Sequence, residues 1–127
     1  MAKKSSEYIS EFLNFVSEAQ IKHRIYSEEV VNQDKLTQDY LHSLELDDLK
    51  CDERSKVATK LAINRKDRRY YKDRVEEFEP IVEFFADPQH KKMLNLMTKV
   101  LGDVRKAESY HKNRRYIPRV LKEKKDE

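Results

Sequence analysis

From Ile9 to Leu44 the chain repeats apolar or small positions at alternating spacings of three and four. One row runs Ile9, Val16, His23, Val30, Thr37, Leu44; the other runs Phe12, Ala19, Tyr26, Gln33, Tyr40. No Gly or Pro interrupts them, and a seven-residue repeat keeps both rows on one side of a single helix, about 50 Å long. Ser5 or Ser6 is placed to cap its start, with Glu7 favourable in the first turn. "ELDDLKCDE" breaks the pattern and predicts a turn, with Asp52 as N-cap of a second helix. That helix carries Val57, Leu61, Asn64, Arg68, Tyr71, Val75, Phe78, Val82 and Phe85 at the same spacing. Pro80 falls inside the run and predicts a kink or a fresh start, because it lacks an N–H and clashes one turn back. "ADP" is the clearest boundary, with Asp87 as N-cap and Pro88 in the first turn of a third helix reaching about Lys112. Its predicted apolar face is Met93, Met97, Val100, Val104 and Ala107, with Leu94 and Leu101 beside it. Gly102 either lets another helix approach closely or simply weakens this one. Pro118 stops regular helix past Tyr116, and "KEKKDE" at 122–127 reads as a disordered end to a single helical domain of residues 1–121.

The first two helices should fold back on one another as an antiparallel hairpin. With the turn centred near residue 48, Asn64 falls beside Gln33, Arg68 within reach of Glu28 or Glu29, and Tyr71 beside Tyr26. Gln33, Asn64 and Arg68 thus form a polar layer at one height, and polar groups in a helical seam fix register at some cost in stability. The expected architecture is all-α: a long coiled-coil-like hairpin, a third packed helix and an extended basic C-terminal tail. A thin rod of 127 residues covers little of its own apolar surface, so a homodimer or higher homo-oligomer is expected.

Composition removes most alternatives. One Gly in the chain excludes glycine-rich phosphate loops, and scarce Gly and Pro argue against an all-β fold. Cys51 is the only cysteine, so neither an intrachain disulfide nor a cysteine-based zinc site is available. No apolar run approaches the ~18 residues of a membrane span, which places the expected chain in the cytoplasm with no membrane contact. The net charge of +3 conceals blocks: residues 60–74 hold seven basic and two acidic side chains, residues 75–90 five acidic and none basic.

The basic block contains "NRKDRRYYKDR", residues 64–74. Arg65, Arg68, Arg69 and Lys72 share about 100° of the helix surface, a stripe able to follow a phosphate backbone. Two readings stand. Either the stripe pairs with acids of the first helix while Glu76, Glu79 and Glu83 meet Lys91, Lys92 and Lys99, or Arg65, Arg69 and Lys72 face a partner. In the tail, Lys112, Arg114, Arg115, Tyr116 and Arg119 can bind nucleic acid or an acidic protein, while Ile117, Val120 and Leu121 suit docking along the bundle or onto a second subunit. Tyr26, Tyr40 and Tyr71 belong to the seam; Tyr70, Tyr110 and Tyr116 lie off it, where an aromatic ring with a polar tip suits an interface. His23, His42, His90 and His111 show no metal-ligand spacing, and no serine or threonine has a base at motif distance. The expectation is therefore a non-enzymatic protein with no metal and no cofactor.

The stretches "LELDDLKCDERSKVATKLAINRKDRRYYKDRVEEFEPIVEFF" and "LGDVRKAESYHKNRRYIPRVL", within residues 41–121, resemble small helical proteins of phages and prophages of Gram-positive bacteria. That resemblance carries no site residues. It implies a context in which small accessory proteins bind and block host machinery, such as a CRISPR effector or another host protein or protein–nucleic acid complex. Two other functions fit the same residues: nucleic-acid binding through the basic flank and tail, and an oligomeric sponge for a cyclic nucleotide lined by Arg and Tyr.

Overall fold

The computed structural model describes residues 2–120, and these form three helices. The segment 122–127, expected to be disordered, and Leu121 lie outside the described residues. Helix α1 spans Ser5–Leu46, α2 spans Cys51–Ala86 and α3 spans Pro88–Lys112. At about 1.5 Å per residue α1 is about 63 Å long and α2 about 54 Å, a slightly longer rod than the repeat alone implied.

Helices α1 and α2 pair along most of their length as the antiparallel hairpin, joined by Asp47–Lys50. The seam lies where the repeat places it. All nine seam positions of α2 are buried or half-buried, and so are those of α1 with one exception, Phe12. The exception has a cause. Helix α2 ends at Ala86, near the level of Val16, because Asp87 and Pro88 terminate it; beyond that level α1 has lost its partner.

Helix α3 takes over there and runs on in the same sense as α2. Its first turn borders a cleft shared by Gln20, Val82, Phe85, Ala86 and Lys91, and its end lies against Ser6. It covers Ile9, Leu13 and Val16 and leaves Phe12, with neighbouring Tyr8 and Phe15, open to solvent. The fully enclosed apolar core is correspondingly small: Val16, Ala19 and Leu101.

Several local expectations need correction. The inward face of α3 is Leu94, Met97, Leu101, Val104 and Glu108; Met93, Val100 and Ala107 point out. Its apolar residues cover some 160° of the helix surface, and the hairpin occupies only one half of that arc. Lys50, not Asp52, is the N-cap of α2, and no side chain caps it; Asp52 and Glu53 sit in the first turn, where their charge still suits the dipole. The N-cap of α1 is Lys4, with Ser5 and Ser6 already inside the helix. Pro80 neither ends nor restarts α2, which is continuous through it. Pro80 and Glu76 are both exposed, so the carbonyl that the proline leaves without its helical donor is on the water side. Gly102 does not serve close approach: a Cβ there would meet nothing within 4 Å. The Asp87 cap is as expected, its Oδ1 accepting from Gln89 N at 2.9 Å ahead of Pro88 at the helix start. No helix among the described residues is long and apolar enough to cross a membrane.

Candidate functional site

The predicted polar layer is the best-defined group of side chains in the molecule. Asn64 is 2% exposed, and its Nδ2 donates to the Gln33 carbonyl at 3.0 Å and to Gln33 Oε1 at 2.7 Å. Thr37 Oγ1 lies 2.6 Å from Asn64 Oδ1 and 2.9 Å from the Gln33 carbonyl, so its single proton is shared between two acceptors, the amide oxygen being the nearer. The buried amide is satisfied on both its oxygen and its nitrogen, as a polar group in such a place must be.

Arg68 belongs to this layer but not with the expected partner. Its Nε donates to Asp34 Oδ1 at 2.5 Å rather than to Glu28 or Glu29. Side chains on a helix lean toward its N-terminus. Arg68 therefore leans toward the connecting turn and Asp34 leans away from it, so the pair closes across a longer span than backbone level suggests. The same lean joins His23 Nε2 to Glu79 three seam layers further on.

Next to the polar layer lies an aromatic cluster. Tyr26 stacks on Phe78 at 6.3 Å between centroids, lies 5.8 Å from Tyr71 and meets Tyr70 edge-on at 6.5 Å. Tyr70 is thus not purely an outward residue, although it is still half-exposed; the Arg74 guanidinium lies 5.2 Å from its ring centre. Consequently the basic and aromatic letters of residues 64–74, adjacent in sequence, do not interleave in space. Tyr71 faces the seam and Tyr70 flanks it on one side, while Arg65 and Arg69 project from the other.

Arg65 and Arg69 are exposed, and Lys72 is half-buried beside Arg68, Ser27, Val30, Val75 and Glu76 at a mainly apolar groove of about 270 Å³. No ion pair among the described residues involves Arg65, Arg69 or Lys72. Only Arg68 of the stripe pairs with the first helix. Likewise no ion pair joins Glu76, Glu79 or Glu83 to Lys91, Lys92 or Lys99, because α3 continues past the end of α2 instead of folding back along it.

The tail residues form a second, separate surface. Asn113 ends α3 with its backbone N and Nδ2 both directed at the Ser109 carbonyl, at 3.1 and 3.0 Å. After it the chain has no regular secondary structure, and Arg114, Arg115, Tyr116, Ile117, Arg119 and Val120 are exposed. In the described part of the tail only Pro118 is half-buried, and Arg114 lies over Tyr110 of α3 at 5.5 Å from the ring centre. The Arg65 flank is opposite the middle of α1, whereas the tail leaves from beside Ser6. About 25 residues of α1 separate the two levels, roughly 40 Å at 1.5 Å per residue. What sequence joined in one binding set the fold divides in two.

Glu108 was not foreseen. Its Oε1 accepts from the Ser6 backbone N at 3.1 Å, so a carboxylate from α3 supplies the cap that the start of α1 lacks within its own chain segment. The Ser6 side chain and backbone hydrogen bonds hold its pKa below the usual carboxylate value, with smaller help from Lys4 and Arg105. Lys4, Arg105 and Lys112 border the same cleft, of about 330 Å³. The signal was present in sequence: Glu108 continues the Leu94, Leu101 row at seven-residue spacing, an acid where the inward face asks for an apolar residue. Among the described residues no group of three or more His, Cys, Asp or Glu is arranged to hold a metal ion. Compared with protein-family models, curated proteins and solved structures, the chain has no significant match in any of the three.

Proposed function

We propose that this chain is a non-enzymatic accessory protein of a phage that binds a host macromolecule, a defence component such as a CRISPR effector, and blocks it in the host cytoplasm. The phage and host setting rests on the resemblance of residues 41–121. The binding role rests on one observation: Arg65 and Arg69 project from the middle of the hairpin, exposed and in no ion pair among the described residues. Arginines so placed supply planar, multidentate donors for carboxylate or phosphate. The rod holds them about 40 Å from the second basic surface at the tail, a separation suited to a large partner rather than a small ligand.

One reading competes on the same observation. Unpaired arginines along a helix flank also suit a nucleic-acid backbone, with salt-dependent affinity. The five acids of residues 75–90 follow that stripe directly and limit any duplex to a short footprint. A single experiment separates the readings. Tagged wild-type chain and Arg65→Glu/Arg69→Glu are used to capture partners from bacterial lysate, with and without nuclease. The proposal expects a protein partner retained after nuclease and lost with the double variant. Capture abolished by nuclease establishes the nucleic-acid reading, and capture unchanged in the double variant rules out the flank.

A further inference from the structure

The chain exposes 10,662 Å² of surface, against about 7,100 Å² for a compact folded monomer of its mass. The rod shape and the irregular segment after Lys112 contribute, and so does a row of large apolar side chains left in water. On α3 that row is Met93, Leu96 and Val100, 47 to 55% exposed and within about 60° of the helix surface. Beside it, at each position preceding a seven-residue step, stand Lys92, Lys99 and Lys106, all exposed and in no ion pair among the described residues.

The last turns of α2 present the complement. Pro80 and Phe84 are exposed, Phe84 being covered on one side by the His90 ring at 3.9 Å. Glu76 and Glu83 stand in the row preceding that stripe, exposed and free of ion pairs among the described residues. The two acids are seven residues apart, as are Lys92 and Lys99. When two helices pack antiparallel, rows that precede the contact stripe on each helix meet one another. Lys92 then faces Glu83, Lys99 faces Glu76, Met93 meets Phe84 and Leu96 meets Pro80, all in one register.

That register has a further property. Residue numbers in each pair are symmetric about the α2–α3 junction at Asp87. A two-fold axis through the junction, perpendicular to the rod, pairs α3 of one copy with α2 of the other and repeats the contact by symmetry. Because α3 continues in the sense of α2, such an axis makes the paired helices antiparallel without further adjustment. We propose that the chain forms a two-fold dimer in which the Met93–Leu96–Val100 stripe of α3 seats on Pro80 and Phe84 of a second copy, flanked by Lys92 and Lys99 against Glu83 and Glu76. Two helix contacts of about 20 Å each provide an interface on the scale of a standard one, roughly 1,600 Å² in total. Glu76, Glu83, Lys92 and Lys99, which enter no ion pair among the described residues, are thereby paired between chains. This dimer does not depend on the identity of any host target.

The test is mass in solution, by light scattering and sedimentation from about 1 to 100 µM. Wild type should be a dimer. Leu96→Asp/Val100→Asp should be a monomer that keeps its helical circular dichroism. Lys92→Glu/Lys99→Glu should weaken the dimer at least tenfold, and adding Glu76→Lys/Glu83→Lys to it should restore association. If the aspartate variant fails to fold, the charge-reversal set decides alone. A wild-type monomer at 100 µM, a dimer indifferent to Leu96→Asp/Val100→Asp in folded protein, or no rescue by the fourfold reversal overturns the proposal.

Discussion

The middle of the hairpin and the end where α3 replaces α2 are held together by different means. In the middle, the Arg68–Asp34 pair lies between a hydrogen-bonded polar layer of Gln33, Thr37 and Asn64 and the stack of Tyr26, Tyr71 and Phe78. These groups are matched in position, and a slip of the helices would unpair all of them together. At the α3 end the buried residues are Val16, Ala19 and Leu101, with the Glu108–Ser6 contact closing the top. Nothing there is as sensitive to register. The middle specifies the fold, and the end supplies enclosed apolar packing.

The comparison fails if loss of either region has the same consequence. Asn64→Ala should have the largest effect, because it leaves buried partners on Gln33 and Thr37 unsatisfied as well as removing packed volume. We expect about 3 kcal/mol lost, seen as one cooperative shift of the urea unfolding curve. Leu101→Ala should cost about 2 kcal/mol, at the low end for buried leucine because so few neighbours enclose it. Its effect should be regional: hydrogen exchange quickens in α3 and in α1 before Val16, while amides near Asn64 keep their protection. Equal loss of protection in both regions after Leu101→Ala would show that the two are one cooperative unit.

The seam was legible because it depends on spacing alone. Asn64 could be placed beside Gln33 from a turn centre and a count of residues, and both α-hairpin rows follow from the same arithmetic. The arrangement of α3 was less so. Its apolar arc is too wide for one neighbour, so the sequence offers Met93 and Val100 as readily as Leu94 and Leu101 for the inside. Only the direction in which α3 leaves Asp87 decides between them, and that direction is set by backbone angles at one residue. Arg68 was misassigned for another reason: level was counted between backbones, while long side chains meet according to their lean. Of the candidate binding residues, Arg65, Arg69, Lys112, Arg114, Arg115 and Arg119 are exposed cations and Lys72 is half-buried, and their division into two distant surfaces follows from the rod's length and from α3 carrying the tail away from the hairpin's middle.

Gly102 offers a smaller change of opposite sign within the same end of the molecule. It lies in the interior of α3 with open space where a side chain would be. Gly102→Ala should therefore stabilise by about 0.5–1 kcal/mol through backbone entropy and helix propensity, with no loss of packing. A destabilised Gly102→Ala variant would mean that something approaches this face, and a second copy would be the first candidate.

Glu108 sharpens the comparison last, because it is a polar contact that joins α3 directly to the start of α1. Its pKa is lowered in the folded chain by the hydrogen bonds from Ser6, with Lys4 and Arg105 adding to the same direction. A depressed carboxylate contributes stability that is present in full above its ordinary value of 4.5 and is lost as pH falls through the lower folded value. Wild type and Glu108→Gln should thus differ in melting temperature at pH 6 and converge toward pH 3. The glutamine retains an oxygen that can accept from Ser6 N, so the difference reports the charge facing the start of α1 rather than the contact itself. Protection of the first-turn amides of α1 should follow the same pH course. If the two proteins instead differ equally at pH 3 and pH 6, the carboxylate acts by shape alone, and the α3 end would hold α1 by packing without an electrostatic cap.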